Sequence, residues 1–156
     1  MSIPASVDKY LARSGVHYDL IAHARTSNSS QSAEAAHIPG HQLAKCVMLH
    51  DDTGYLLAVL PSTRRVDFDA IDAQLGRRMM LVSEDELPAM FRDCEPGAIP
   101  PFGRAYGVEV VMDDDLLQAE DVYFEAGDHR ALVHVTGQDF LQLMGDTPLL
   151  SISRQH

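Results

Sequence analysis

The chain has 156 residues, 46% of them hydrophobic and 22% charged, the composition of one globular domain spanning residues 1–156. Lys and Arg total 12 against 23 Asp and Glu, a net charge of −11; a surface that acidic repels polyanions at long range and excludes non-specific binding to DNA. No apolar run approaches the roughly 18 residues of a membrane span, Met1 to Asp8 lack the basic-then-apolar pattern of a secretory leader, and two cysteines, Cys46 and Cys94, cannot build a disulfide framework, so a reduced, cytoplasmic setting without membrane contact is expected.

The predicted elements follow in chain order. Residues 5–14 read as a helix, with Val7, Tyr10 and Leu11 at helical spacing and Gly15 as its stop. Val16 to His23 reads as a strand, Thr26 to Ser30 as a polar loop offering N-caps, and a short Ala-rich helix runs through Ala36 until Pro39-Gly40. Leu43 to His50 is apolar on both faces except at Lys45, the pattern of a central strand. Asp52-Thr53-Gly54 is a hairpin turn, and Tyr55 to Leu60 the return strand. Val66 to Leu75 reads as a helix closed by Gly76, and Met79 to Val82 as a strand. Ser83 and Glu86 form a capping box that opens a helix to about Phe91. Cys94 to Gly103 is rich in proline and glycine and reads as a rigid loop. Strands follow at Val108–Met112, Val122–Glu125 and Ala131–Val135, and Thr136 caps a last helix over Gln138–Met144. Helices interleaved with strands, then a strand-rich second half, give a mixed sheet flanked by helices, α/β or α+β in class.

The sequence lacks G-x-G-x-x-G, G-x-x-x-x-G-K-[ST] and G-x-S-x-G, which removes the usual support for nucleotide cofactors and hydrolase elbows. His37 and His41 have the i, i+4 spacing of a zinc pair, but Pro39-Gly40 breaks the helix that the spacing needs; no metal and no other cofactor is expected. Cys46 shares a strand face with Ala44 and Met48, an apolar setting that makes a thiol inert.

Lys45 is the sharper signal. On its own face it is flanked by Leu43, Val47 and Leu49, and ammonium groups are rarely buried without a partner. It either snorkels at a sheet end or points into a cleft to meet an anion such as a phosphate. The loop through Ala98, Ile99, Pro100, Pro101 and Phe102 is either a connector or a fixed array of backbone groups able to hold a small polar group or a water. His23, at a strand end, and His129, in a turn, are unassigned by their residues alone.

Taken together in order, these segments resemble the YbaK and prolyl-tRNA-synthetase-associated editing-domain family. They are a strand ending in His23 followed by Thr26 and a helix; the lysine strand Leu43-Ala44-Lys45-Cys46-Val47-Met48-Leu49; a G-x-x-x-P loop at Gly97-Ala98-Ile99-Pro100-Pro101, followed by Phe102-Gly103; and Glu125-Ala126-Gly127-Asp128-His129-Arg130 leading to Asp139-Phe140. The resemblance spans nearly the whole chain. It implies a curved, mixed, largely antiparallel sheet flanked by helices, and a free-standing, metal-independent deacylase of mischarged tRNA. Carried over, Lys45 would hold the terminal phosphate or ribose of the tRNA 3′ end. The backbone from Gly97 to Pro101 would position the amino acid and the attacking water, with Ala98, Ile99, Pro100 and Phe102 around them. His129 would line the amino-acid pocket, and His23 and Thr26 its wall. An activated ester needs little beyond a placed water and a stabilised oxyanion, so the absence of a triad is consistent with the resemblance. The acidity is tolerable if recognition is confined to the acceptor end, with an aminoacyl-tRNA synthetase or elongation factor as a partner supplying further affinity. Cys46 stands where relatives often have a small polar residue, and Pro100 adds a second proline to the loop. Two other readings use the same pocket: a non-catalytic module that captures an amino acid or small anion, and hydrolysis of some other small ester or thioester.

Overall fold

A computed structural model of the chain describes residues 4–24, 26, 29–94, 98–125, 127–128 and 130–155. Helix α1 (Ala5–Ser14) buries Val7 and Leu11 and ends at Gly15, whose φ of 70° is the left-handed cap expected of glycine. Strand β1 (Asp19–Ala22) is shorter than the pattern predicts, because only these residues pair with a neighbour. Helix α2 (Ser29–Ala35) precedes a 3₁₀ turn at Gly40–Gln42. Strands β2 (Leu43–Asp51) and β3 (Gly54–Pro61) form the predicted hairpin, and Asp51 Oδ1 accepts the Thr53 and Gly54 N–H groups to close it.

Two expectations shift at the next elements. Val66 belongs to a short strand β4 (Arg64–Val66) rather than to a helix, because residues 153–155, far away in sequence, pair with it. Helix α3 (Phe68–Leu75) therefore starts later, capped by Asp67, whose carboxylate accepts the Ala70 N–H at 3.1 Å. Strand β5 (Met80–Leu81) is two residues long. After Ser83 the chain makes a 3₁₀ turn over Glu84–Glu86 before one α-helical turn, α4 (Leu87–Met90), with Pro88 near its start.

The second half follows prediction closely. It comprises β6 (Glu109–Asp113), β7 (Asp121–Glu125), β8 (Ala131–Thr136) and α5 (Gly137–Met144). Thr136 Oγ1 accepts the Asp139 N–H at 3.1 Å, as a helix cap should. The short strands β9 (Leu149–Leu150) and β10 (Ser153–Gln155) were not apparent from the residues.

Among the described residues the main sheet runs β1-β8-β7-β2-β3-β6-β9, with β5 attached to β2, and β4 pairs with β10 separately. It is mixed: β2–β7, β3–β6 and β6–β9 are parallel, and the other pairs antiparallel. The strand-and-helix architecture is the one the sequence implies. One face packs a core of Ala44, Met48, Phe124, Phe140 and Val133 with Val7 and Leu11 of α1. The other carries Leu49, Leu56, Leu60 and Ile71 near α3, and Leu43 and Leu132 near α2.

Candidate functional site

Strand β2 is the site's frame, and its two edges differ. Strand β3 pairs with it from Ala44 to Asp51. Among the described residues the opposite edge is divided: β7 pairs only with Leu43 and Ala44, and β5 only with Leu49 and His50. Met48 O also accepts the Val82 N–H at 3.0 Å. Lys45, Cys46 and Val47 thus face a breach in the sheet. The Leu43 carbonyl accepts Ser62 N–H on the β3 side while the Met48 carbonyl points the other way, so alternation turns the Cys46 peptide toward the breach.

Side chains alternate at the same place. Ala44, Cys46 and Met48 join the core face that includes Ile99 and Phe102 of the proline loop. Lys45 leaves the strand with Leu43, Val47 and Leu49, on the face of α2 and α3. The lysine and the loop therefore stand on opposite faces of β2, with the breach between them. Lys45 is half-buried, and burial lowers its pKa from the ordinary lysine value. No hydrogen bond or ion pair holds its ammonium among the described residues.

The loop itself is a packed object. Ala98, Ile99, Pro100, Pro101 and Phe102 are all buried. Phe102 stacks on Tyr10 of α1 at 4.4 Å between ring centroids and meets Phe124 edge-on at 5.1 Å. At the head of the loop, Asp93 accepts the hydroxyls of Tyr106 at 2.8 Å and Ser6 at 3.0 Å. Burial raises its pKa, but these donors outweigh burial and hold the carboxylate below its ordinary value. Cys94 Sγ lies 3.3 Å from the Tyr106 hydroxyl; burial is the main cause that pushes the thiol up to about 12. The Cys46 thiol is raised further, by burial first and then by the charges of Glu125 and Cys94. A raised thiol pKa agrees with the apolar setting expected for Cys46, and Cys94 shares it.

The turn after β7 reaches the same place. The parallel register sets Phe124 beside Ala44, so Glu125 comes next to the breach, where its charge acts on Cys46. Glu125 is 1% exposed. Gly127 has φ 99°, and a Cβ there would collide with Pro4 and come within 3.5 Å of Cys94 Sγ, so the tip of the turn is wedged between α1 and the loop. His23 continues the β1–β8 ladder, donating its N–H to Arg130 O at 2.9 Å. Its Nδ1 lies 2.7 Å from Ala24 O, and its Nε2 is shielded from solvent with no partner among the described residues. Thr26 Oγ1 sits 2.6 Å from the buried Ser32 hydroxyl, which ties it to α2. Gly97 and His129 lie outside the described residues.

The structure thus brings the loop, Glu125, Gly127 and the middle of β2 to one region, while His23 is set apart from β2 by two strands, β7 and β8. Thr26 is set toward α2. In the sequence Glu125 stands out only as the start of the fourth segment, without a role of its own, and the Asp93–Tyr106–Ser6 cluster not at all. Glu125 was open to the test that singled out Lys45, a charge closing an apolar run; the Asp93 cluster joins residues too far apart in sequence to signal each other. A cleft of about 750 Å³ lies elsewhere, around Arg64, Asp115 and Gln155. Its Arg64 is already tied to Asp115 at 3.1 Å and to Ser153.

Solved structures share the fold, and three of them illustrate it. A hypothetical protein superposes with a TM-score of 0.84 at 19% identity, over 96% of this chain and 99% of the other. A protein proposed as a trans-editing enzyme for prolyl-tRNA synthetase gives 0.82 at 22% identity, over 98% and 99%. A proposed signal-transduction protein from Marinobacter aquaeolei VT8 gives 0.79 at 20% identity, over 97% of this chain but 31% of that one. No curated protein matches the sequence. Residues 23–143 match the model of the aminoacyl-tRNA editing domain, from His23 at the end of β1 to Leu143 in α5, and the chain belongs to that family, the YbaK-like editing domains.

Proposed function

We propose that this protein is a free-standing aminoacyl-tRNA deacylase that removes wrong amino acids from charged tRNA by metal-independent hydrolysis. The observation that carries this reading is Lys45: a half-buried ammonium, without a protein partner among the described residues, at a breach in the central sheet whose opposite face holds the buried proline loop. Burying a cation without a counter-ion costs stability, and an anionic ligand accounts for keeping it. The lysine stem is long and flexible enough to carry the ammonium to the breach. There it holds the phosphate or ribose end of the terminal adenosine.

The ester carbonyl then lies toward the Gly97–Pro101 backbone, which orients a water and donates to the oxyanion. Water adds to the carbonyl carbon, the tetrahedral intermediate collapses, and the ribose oxygen leaves with a proton. Positioning and a preorganised oxyanion site suffice for an activated ester. His23, with its solvent-shielded Nε2, serves the amino-acid side of the pocket, and the family resemblance assigns His129 the same role. The trans-editing description of one structural neighbour supports the same reading, and an aminoacyl-tRNA synthetase or an elongation factor fits as a partner that delivers the charged tRNA.

The test is multiple turnover on tRNAs mischarged with Ala, Ser, Thr, Cys or Pro. Wild type releases many equivalents of at least one amino acid, and Lys45→Ala lowers kcat/KM by about 10- to 100-fold, the worth of a charge-assisted hydrogen bond of roughly 1.5–3 kcal/mol. Equal rates for wild type and Lys45→Ala would sink the assignment. The fold also forms under a third of a proposed signal-transduction protein; stoichiometric amino-acid binding without turnover would favour a sensing module.

A further inference from the structure

Helix α1 presents Lys9 and Arg13 on its exposed side, one turn apart. Neither has an acidic partner among the described residues. The chain holds two lysines and a net charge of −11, so two unpaired cations on one turn are a local reversal of the molecule's charge. Arg13 lies in the last turn, where a cation complements the helix dipole; Lys9 in the middle of the helix has no such reason. Both line a cleft of about 610 Å³ between α1 and α5, with Ser6, Ser14 and Gln142 as further polar lining. Gln142 Nε2 donates to Ser14 O at 3.2 Å, which fixes that side of the cleft. Asp93, at the Ser6 end, is already engaged by the Ser6 and Tyr106 hydroxyls, and Asp8, beside Lys9 on the same helix, makes no ion pair with either cation among the described residues.

The cleft adjoins the site described above. Tyr10, which also lines it, stacks directly on Phe102 of the proline loop. Its hydroxyl donates to Leu143 O at 2.6 Å and so ties α1 to α5. One layer of aromatic rings therefore separates the cations from the loop.

We infer that this cleft is a second subsite, in which Lys9 and Arg13 hold backbone phosphates of the tRNA acceptor stem while the aminoacylated end enters at the loop. The inference rests on the deacylase reading for its ligand, because the strand that delivers the ester must pass close to the loop. It also offers an acidic protein a local foothold on a polyanion: two of its twelve Lys and Arg residues stand together in this cleft. The contacts are to phosphate and ribose, so the subsite adds affinity without base specificity.

Binding of uncharged tRNA, followed over a series of KCl concentrations, tests the cleft without any chemistry. Lys9→Ala/Arg13→Ala is expected to reduce the slope of log K against log salt by about 1.4–1.8, from about 0.7–0.9 per neutralised phosphate. On aminoacyl-tRNA the double variant raises KM about 10-fold with kcat little changed, whereas hydrolysis of 3′-aminoacyl-adenosine, which has no stem, stays at the wild-type rate. Lys9→Glu/Arg13→Glu deepens both effects. The control is Arg65→Ala/Arg154→Ala, two exposed cations facing each other across β4 and β10. An unchanged slope in the α1 variant, or an equal loss in the control, overturns the subsite. Failure of wild type to hydrolyse any charged tRNA overturns the deacylase reading instead, and the binding slope still decides the cleft.

Discussion

Strand β2 carries charge at two places six residues apart, and they are built in opposite ways. At its far end Asp51 receives Arg77 through two hydrogen bonds, Nε at 2.7 Å and Nη2 at 2.6 Å, and Arg77 also reaches Glu109 at 3.2 Å. Asp51 accepts the N–H groups of the β2–β3 turn as well. In the middle of the same strand Lys45 has none of this, although it is half-buried too. A cation that serves the fold comes with its partners, because desolvation is offset only by good geometry. A cation kept without them is held for something that arrives later. The contrast separates the structural cation from the ligand-binding one, and each side of it can be broken.

The largest effect is expected on the unpaired side. Lys45→Met keeps the stem's shape and removes the charge. Activity should fall about 10- to 100-fold, as for the alanine variant, while the denaturant midpoint stays level or rises, since an uncompensated buried charge is relieved. A marked fall in stability would show that Lys45 serves the fold, and the contrast with Arg77 would collapse.

The paired side should give the converse. Arg77→Met is expected to leave deacylation unchanged and to lower thermal stability. It should also alter the acid limb. Hydrogen bonds from Arg77 hold the Asp51 carboxyl well below the usual carboxylate range, against burial, with Thr53 helping. A group with a depressed folded pKa contributes stability above its unfolded value, near 3.9, and loses it as pH falls through the folded value. Wild type should therefore resist acid further down than the variant, and denaturation followed from pH 6 toward pH 2 reads the difference.

The cysteines sharpen the picture of the breach. Their thiols are raised by burial, Cys94 to about 12, and Cys46 is raised further by the charge of Glu125. Alkylation by iodoacetamide near pH 8 should be slower than for an exposed cysteine by about 100-fold or more, since the thiolate is the reacting species. Denaturant should restore both rates. Rapid labelling of native Cys46 would mean that the breach is open to solvent on the core face.

What could be read from the residues follows from how local each signal is. Helix α5 was legible because Thr136 and Asp139, cap and partner, sit three residues apart. The central strand was legible because a run of aliphatics from Leu43 to Leu49 has little other use. Val66 was misread as helical because its pairing partner, Ser153, lies far along the chain. Lys45 could be picked out because a charge among aliphatics is a local anomaly. What could not be read is the breach itself. It exists because β7 and β5 each cover only part of one edge of β2, and no residue pattern within β2 encodes where a neighbour stops. Nor could the sequence show that Lys45 and the loop leave β2 on opposite faces, because the loop's side is set by Ile99 and Phe102 packing with Phe124.

The smallest effect concerns a third charged residue, in the sheet's outer strands. His134 on β8 lies 2.8 Å from Asp121 and 3.2 Å from Asp19, and stacks on Tyr123 at 4.7 Å. Burial lowers its pKa, but the hydrogen bonds and charges of the two aspartates outweigh burial and raise it above the ordinary histidine value. A raised folded pKa means that this stabilisation is complete below about 6.5, the unfolded value, and is lost as pH rises through the folded value. Like Arg77, His134 is a basic group supplied with acidic partners, and through Asp19 it fixes β1, the strand that leads into His23. In His134→Phe the ring stack survives and the charge does not. The thermal midpoint of wild type should drop slightly more than that of the variant between pH 6 and pH 8.5, with deacylation of the two proteins alike below that range. Parallel pH profiles would remove His134 from the paired class and leave Arg77 as its clearest member.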